Sequence, residues 1–143
     1  MTDSRTVPYA ALLLRVSLGA MFIAHGLLKV LVFTVPGTVQ FFGSLGLPPV
    51  FAYGTIAAEL LGGALLILGI GTRWVALALI PVLLGATWVH AGNGWLFTAP
   101  KGGWEYPLFL TLATAVQALL GDGALAVRTS FFGTARAPQL QRA

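Results

Sequence analysis

The chain has 143 residues, of which 57% are hydrophobic and only 8% are charged, and its mean hydropathy is +0.89. A soluble domain carries about 25% charged residues, and a disordered chain is poor in apolar residues and rich in charge. The composition therefore excludes both classes and indicates an integral membrane protein. Because the chain has no cysteine, disulfides, thiol catalysis and cysteine-ligated metal centres are also excluded.

Four apolar runs follow one another along the chain. They cover residues 9–33, 50–71, 73–90 and 105–120. Their lengths are comparable to the roughly 20 residues that a helix needs to cross a bilayer. The first run is too long for a signal peptide and is interrupted by Arg15, so we expect it to be retained. No sustained alternation of polar and apolar residues favours a barrel. The predicted fold is all-α, a four-helix transmembrane bundle.

The domain organisation follows from these runs. We expect an N-terminus at 1–8, a membrane domain at 9–123 and a basic tail at 124–143. The connections 34–49 and 91–104 contain aromatic residues together with glycine and proline, which interrupt regular helix. We expect them to be irregular and to lie in the headgroup region as a partial lid. Interfacial anchoring explains them more simply than a substrate gate.

The positive charges predict the orientation. The formal net charge of +4 would fit nucleic acid, but scattered cations on so hydrophobic a chain are better explained by membrane topology. One side of the predicted bundle receives five arginines, Arg5, Arg73, Arg128, Arg136 and Arg142. The other side receives only Lys29 and Lys101. We therefore expect a multi-pass protein of the cell (cytoplasmic) membrane with both termini cytoplasmic, in contact with membrane lipid and with no nucleic-acid partner.

Six ionisable side chains lie within or at the ends of the predicted spans: Arg15, His25, Lys29, Glu59, His90 and Glu105. A charge at a helix centre costs about 2.5–3.5 kcal/mol on insertion scales, so each needs a partner or a function. At 100° per residue, Arg15, His25 and Lys29 share one face of the first helix with two glycines. That face should point into the bundle, where glycine permits close approach of another helix.

Depth along the helices predicts a polar column. At 1.5 Å per residue, His25 and Glu59 lie at one level, and Lys29, His90 and Glu105 form a shallower layer. Arg15 lies toward the cytoplasmic side, from where it would reach Glu59 or Gln117. The column would open toward the extracytoplasmic face.

Several chemistries fit this column. Two histidines and two glutamates are suitable metal ligands, but no H-x-x-x-H or E-x-x-H pair is present and Lys29 opposes a cation. We therefore expect no metal site. A quinone head group needs donors to its carbonyls and a group that exchanges protons, which His, Lys, Arg and Glu supply. A proton or small-solute pathway would use the same residues, and a buried ion-pair network that fixes helix register is the structural alternative.

The same residues carry a family resemblance. The chain resembles DoxX family membrane proteins over about residues 9–123, in an ordered set of short motifs. These are RVSLG at 15–19, HGLLK at 25–29, FGSLGLP at 42–48, ELLGG at 59–63, LGIGTR at 68–73, ATWVH at 86–90 and GGWEYP at 102–107. The resemblance implies a four-helix membrane bundle. The family takes its name from a subunit of an archaeal thiosulfate:quinone oxidoreductase, and some members are linked to membrane-associated oxidative-stress complexes. Since this chain lacks cysteine, we do not expect it to carry out sulfur transfer alone.

The sequence thus predicts a small membrane subunit of a redox system that binds a quinone-like lipophilic ligand between helices. His25, Glu59 and His90 would contact the head group or relay protons. Arg15 and Lys29 would be charge partners, and Glu105 would orient His90 or Lys29. A redox partner protein and a homo-oligomer are both compatible with glycine-rich helix faces. The alternative is a non-catalytic scaffold, or a transport protein for protons or small solutes. Whether the chain is itself catalytic stays open at this point.

Overall fold

The computed structural model describes residues 5–127, and this part of the chain is helical with no strand. Its α-helices are α1 (Val7–Leu27), α2 (Val35–Ser44), α3 (Pro49–Leu68), α4 (Thr72–His90) and α5 (Glu105–Leu120). A π-helical turn, Leu28–Val32, continues α1, and a 3₁₀ turn, Ala91–Asn93, continues α4. The all-α class is confirmed. The tail arginines Arg128, Arg136 and Arg142 lie outside the described residues.

Three helical segments are long and apolar enough to cross a membrane: residues 7–32, 49–68 and 72–93. Helix α5 is also apolar but has 16 residues, fewer than the roughly 20 that span the hydrocarbon. The structure therefore supports a membrane protein with three candidate spans. A fourth crossing by α5 and the cytoplasmic position of the termini stay predictions.

Helix α2 corrects the expectation of an irregular connection at 34–49. Pro36 and Gly37 were expected to break helix here, but proline is tolerated in the first helical turn, where its missing N–H has no partner in any case. The Thr34 hydroxyl accepts a hydrogen bond from Gly37 N at 3.3 Å and caps the helix. Many side chains of α2 are exposed, and its position in the headgroup region stays a prediction.

Helices α1 and α3 contact each other at glycine residues. A Cβ added at Gly19 would lie 2.6 Å from the Gly63 carbonyl oxygen, and one at Gly63 would lie 2.8 Å from the Gly19 carbonyl oxygen. The two backbones are therefore in direct contact, as small residues allow in membrane helix pairs. The predicted interior face of α1 is confirmed for Arg15, Gly19, Phe22 and Gly26, which are buried, whereas His25 and Lys29 are half-buried.

The helices α4 and α5 form a second antiparallel pair, which packs beside α1 and α3. An apolar core fills the space between the helices; it consists of Leu18, Phe22, Leu66, Ala76, Leu79, Leu83 and Ala118. Helices α1 and α4 begin at one end of the bundle, where α3 and α5 also terminate; we call it the terminal end. The opposite end is called the loop end. Polar side chains lie at both of these ends, with the apolar core between them.

Candidate functional site

Lys29 and Glu59 form an ion pair at the loop end. The Lys29 ammonium donates to both carboxylate oxygens of Glu59, each at 2.8 Å, and Glu59 is buried. The sequence predicted the two residues in different layers, so their pairing corrects that expectation. A charge buried in a membrane protein is stabilised by a hydrogen-bonded opposite charge, and here the carboxylate is held through both of its oxygens.

Local structure around Lys29 explains the pairing. Lys29 lies in the π-helical turn, where Phe33 N donates to Leu28 O at 2.9 Å instead of to a carbonyl four residues back. The wider turn changes the direction of side chains relative to a regular helix. Thr38 of α2 donates from its hydroxyl to Lys29 O at 3.0 Å, which ties α2 to this turn.

Gly26 brings α1 close to α3 at the level of Glu59. A Cβ at this position would lie 2.8 Å from Leu60 Cδ2 and 3.3 Å from Glu59 Cβ. A larger residue at this position would therefore require the Leu60 side chain to move away from α1. The motifs HGLLK and ELLGG thus meet in space, and Gly26 permits the contact.

His25 lies next to the ion pair, within electrostatic range of Glu59. Its Nδ1 is 2.8 Å from Met21 O; because a carbonyl only accepts, this contact requires the proton on Nδ1. In the neutral ring Nε2 is then an acceptor, and no described residue donates to it. The imidazole also stacks on Tyr106, with ring centroids 6.0 Å apart and planes at 28°.

Tyr106 of α5 connects this polar group to the surface. Its hydroxyl contacts Met21 Sδ at 3.8 Å. The same residue lines an open, mainly apolar groove of about 400 Å³. The groove is formed by Trp95, Phe97, Glu105, Tyr106, Leu108, Phe109 and Leu112. Phe109 and Leu112 are largely exposed, so the groove opens on the outer surface of the bundle beside the α4–α5 connection.

His90 and Glu105 have other partners. His90 Nδ1 is 2.8 Å from Ala86 O, and the ring lies against Gly102 of the α4–α5 connection. The Glu105 carboxylate accepts a hydrogen bond from Phe97 N at 2.8 Å, so it orders this connection and does not orient His90 or Lys29 as expected. Within residues 5–127, no hydrogen bond or ion pair joins His90 or Glu105 to Lys29, Glu59 or His25.

Arg15 lies at the terminal end and does not reach Glu59 or Gln117. Its guanidinium donates to the carbonyls of Leu66, at 3.0 Å, and of Ile67, at the end of α3. It also donates to Ala124 O, at 2.8 Å, in the segment after α5. Arginine is suited to this position because its planar fork serves several acceptors at once. The structure therefore assigns Arg15 to helix termination and not to the loop-end site.

The sequence reasoning missed two residues. Tyr106 stands beside His25, and Asp122 accepts from Thr72 N at 3.1 Å to cap α4 and interacts electrostatically with Arg15. The GGWEYP motif contains Tyr106, and Asp122 is a charge between two glycines at the end of a span. Those signals were available, although neither identifies the contact.

The loop-end group therefore contains an ammonium, a carboxylate, an imidazole acceptor and a phenol. Such groups donate and accept protons and hydrogen bonds; in the described part of the chain, no three His, Asp or Glu residues are close enough to hold a metal ion. The arrangement suits a neutral polar head group better than a cation.

These features define the class of the protein, a small helical membrane protein with a buried ion pair, a neighbouring histidine and an open apolar groove. The DoxX family model matches residues 10–92, and the chain belongs to the DoxX family. It is 38% identical to a Bacillus subtilis (strain 168) protein named "Putative oxidoreductase CatD" over 87% of this chain and 88% of that protein. It is 35% identical to an uncharacterised Haemophilus influenzae protein over 87% of this chain and 92% of that protein. No solved structure matches the chain.

Proposed function

We propose that this DoxX protein is the membrane subunit of a redox system and binds a quinone-like lipophilic ligand at the loop end. The observation that supports this most is the group formed by Lys29, Glu59 and His25, in contact with Tyr106. The name of the Bacillus subtilis relative, an oxidoreductase, points the same way. The chain has no cysteine, so its own thiols carry no electrons; in this proposal a redox partner protein supplies them.

The residues have distinct roles in this proposal. His25 and Glu59 contact the head group or exchange protons with it, and Lys29 is the charge partner of Glu59. His90 is a further candidate relay, since its ring also has Nδ1 bonded to a carbonyl and no described residue donates to Nε2. The ligand approaches from the bilayer through the groove at Tyr106, whose apolar lining accommodates a lipophilic molecule.

Quinone binding is tested with purified protein in detergent. Menadione and a ubiquinone analogue should raise the Tm and quench tryptophan fluorescence, because the groove contains Trp95. Lys29→Gln should weaken binding at least tenfold. Lys101→Gln is the matched control, since Lys101 is exposed in the α4–α5 connection and should leave binding unchanged. If neither quinone changes the Tm or the fluorescence, the proposal is wrong.

A scaffold is the rival function. One observation favours it: both oxygens of Glu59 are already bonded to Lys29, as in a network that only fixes helix register. A scaffold predicts that Glu59→Gln lowers the yield of folded protein and that no quinone binds. A redox subunit predicts a folded Glu59→Gln protein that has lost quinone-dependent activity. A pathway for protons or small solutes would instead appear as flux into liposomes without quinone.

We further propose a multi-pass protein of the cell membrane with four spans and cytoplasmic termini. The cysteine-free sequence makes single-cysteine labelling clean. A membrane-impermeant maleimide added to intact cells should label Lys101→Cys and leave Arg142→Cys unlabelled until the cells are lysed. Labelling of both positions in intact cells would place α5 outside the set of crossing helices.

A further inference from the structure

Four fully buried side chains keep a polar atom without a hydrogen-bond partner in the described part of the chain. The atoms are Arg15 Nε, Thr72 Oγ1, Thr114 Oγ1 and Gln117 Oε1, none of which has a partner among the described residues. All four residues are 0% exposed. Buried polar groups are almost always hydrogen-bonded, to protein or to ordered water, and the requirement is stricter in a membrane protein.

Three of these four residues contact the segment after α5. Arg15 donates to Ala124 O, and the Gln117 amide donates to Gly121 O. Thr72 N donates to Asp122 of the same segment. Thr114 lies one helical turn before Gln117, on the same face of α5. We call this group of Arg15, Thr72, Thr114 and Gln117 the buried polar layer.

The unpaired atoms define the chemistry of what they bind. Arg15 Nε–H is an obligate donor, and Gln117 Oε1 is an obligate acceptor; the two threonine hydroxyls serve as either. A ligand must therefore both accept and donate. Because the negative charge of Asp122 already interacts with the Arg15 guanidinium, we expect a neutral ligand here.

We propose that the buried polar layer binds internal water, shared between α1, α4 and α5. Water is small, neutral and offers two donors and two acceptors, which matches the set of unpaired atoms. Internal waters make about three hydrogen bonds each to groups of this kind. The water site lies at the opposite end from the proposed quinone site and does not depend on it. Its role is to hold the segment after α5 against the helix ends.

Thr114→Val tests the site, because valine has the shape of threonine without the hydroxyl. If Thr114 binds water, the substitution lowers the Tm by about 2–4 °C. In a dry site it removes an unpaired polar group, and the Tm stays the same or rises. Thr111→Val is the matched control. Thr111 is also buried on α5, but its hydroxyl already donates to Pro107 O at 2.8 Å. The Tm change of this control therefore measures the loss of one intrahelical hydrogen bond.

The combination with Thr72→Val decides between water and a local rearrangement. If Thr72 and Thr114 bind the same water cluster, the Tm loss of the double variant is smaller than the sum of the single losses. Thr111→Val combined with Thr72→Val should be additive. Hydroxyl-radical labelling provides an independent readout, since radiolysis of bound water oxidises buried neighbours. Leu66, 0% exposed, should be labelled in the wild type and less so in Thr114→Val. Additive Tm changes together with an unlabelled Leu66 would overturn the proposal.

Discussion

Replacing Gly63 by alanine tests the contact of α1 and α3 on which the loop-end site depends. The added Cβ would lie 2.8 Å from Gly19 O and 3.0 Å from Ile23 N. Both are backbone atoms of α1, so no side-chain rotation relieves the overlap. The helices must separate or tilt, and the Lys29–Glu59 pair lies on the same two segments.

The magnitude follows from two opposing effects. Alanine in place of glycine favours a helix by about 1 kcal/mol, whereas inserting a methyl group into a packed interior costs about 1–3 kcal/mol. Gly54 lies on the same helix and an added Cβ there has no neighbour within 4 Å, so Gly54→Ala experiences only the favourable effect. We therefore expect Gly63→Ala to be less stable than Gly54→Ala by about 1–3 kcal/mol.

Unfolding in mixed micelles with increasing dodecyl sulfate, followed by far-ultraviolet circular dichroism, measures this difference in the free energy of unfolding. Comparison of the two alanine variants cancels the helix propensity that they share. Equal stability of Gly63→Ala and Gly54→Ala would refute a backbone contact at this crossing, and with it the packing that brings Glu59 to Lys29.

Three further predictions concern the polar contacts. Lys29→Met should lower the free energy of unfolding by about 3–5 kcal/mol, because it leaves Glu59 charged and buried without a partner. Adding Glu59→Gln should recover most of this loss. A double-mutant cycle of unfolding free energies that shows no recovery would contradict the ion pair. Arg15→Lys should lower stability by about 1–3 kcal/mol, since one ammonium cannot replace a planar fork on three carbonyls, and a wild-type Tm would contradict this role. Asp122→Ala should lower the free energy of unfolding by about 1 kcal/mol, because Thr72 N loses its hydrogen-bond acceptor. Asp122→Asn retains an acceptor and should lower it less in the same unfolding assay.

The sequence predicted what depends on regular helix geometry. A period of 3.6 residues placed Arg15, Gly19 and Gly26 on one face, and all three are buried there. Hydropathy located α1, α3, α4 and α5 to within a few residues but not α2, and the predicted bounds of α5 agree with the observed Glu105–Leu120. These features follow from local sequence because a regular helix repeats the same rotation at every residue.

The missed features depend on the reach of a long side chain or on backbone partners. Lys29 was placed in a shallower layer than Glu59 from the rise per residue alone, but its ammonium reaches the Glu59 carboxylate at 2.8 Å. Arg15 was expected to seek a charged or amide side chain. Its partners are carbonyl groups, which every residue possesses and which a sequence therefore cannot distinguish. Tertiary packing alone selects the carbonyls of Leu66 and Ala124.

The position of Ala124 also has a consequence for biosynthesis. Arg15 and its acceptor in the segment after α5 are 109 residues apart in the chain, and ribosomes add about 5–20 residues per second. Roughly 5–20 s therefore pass between the synthesis of Arg15 and that of Ala124. During that interval the nascent first helix carries an arginine whose full set of acceptors does not yet exist. Closure of the terminal end is thus a late event, which depends on the translation of almost the whole membrane domain.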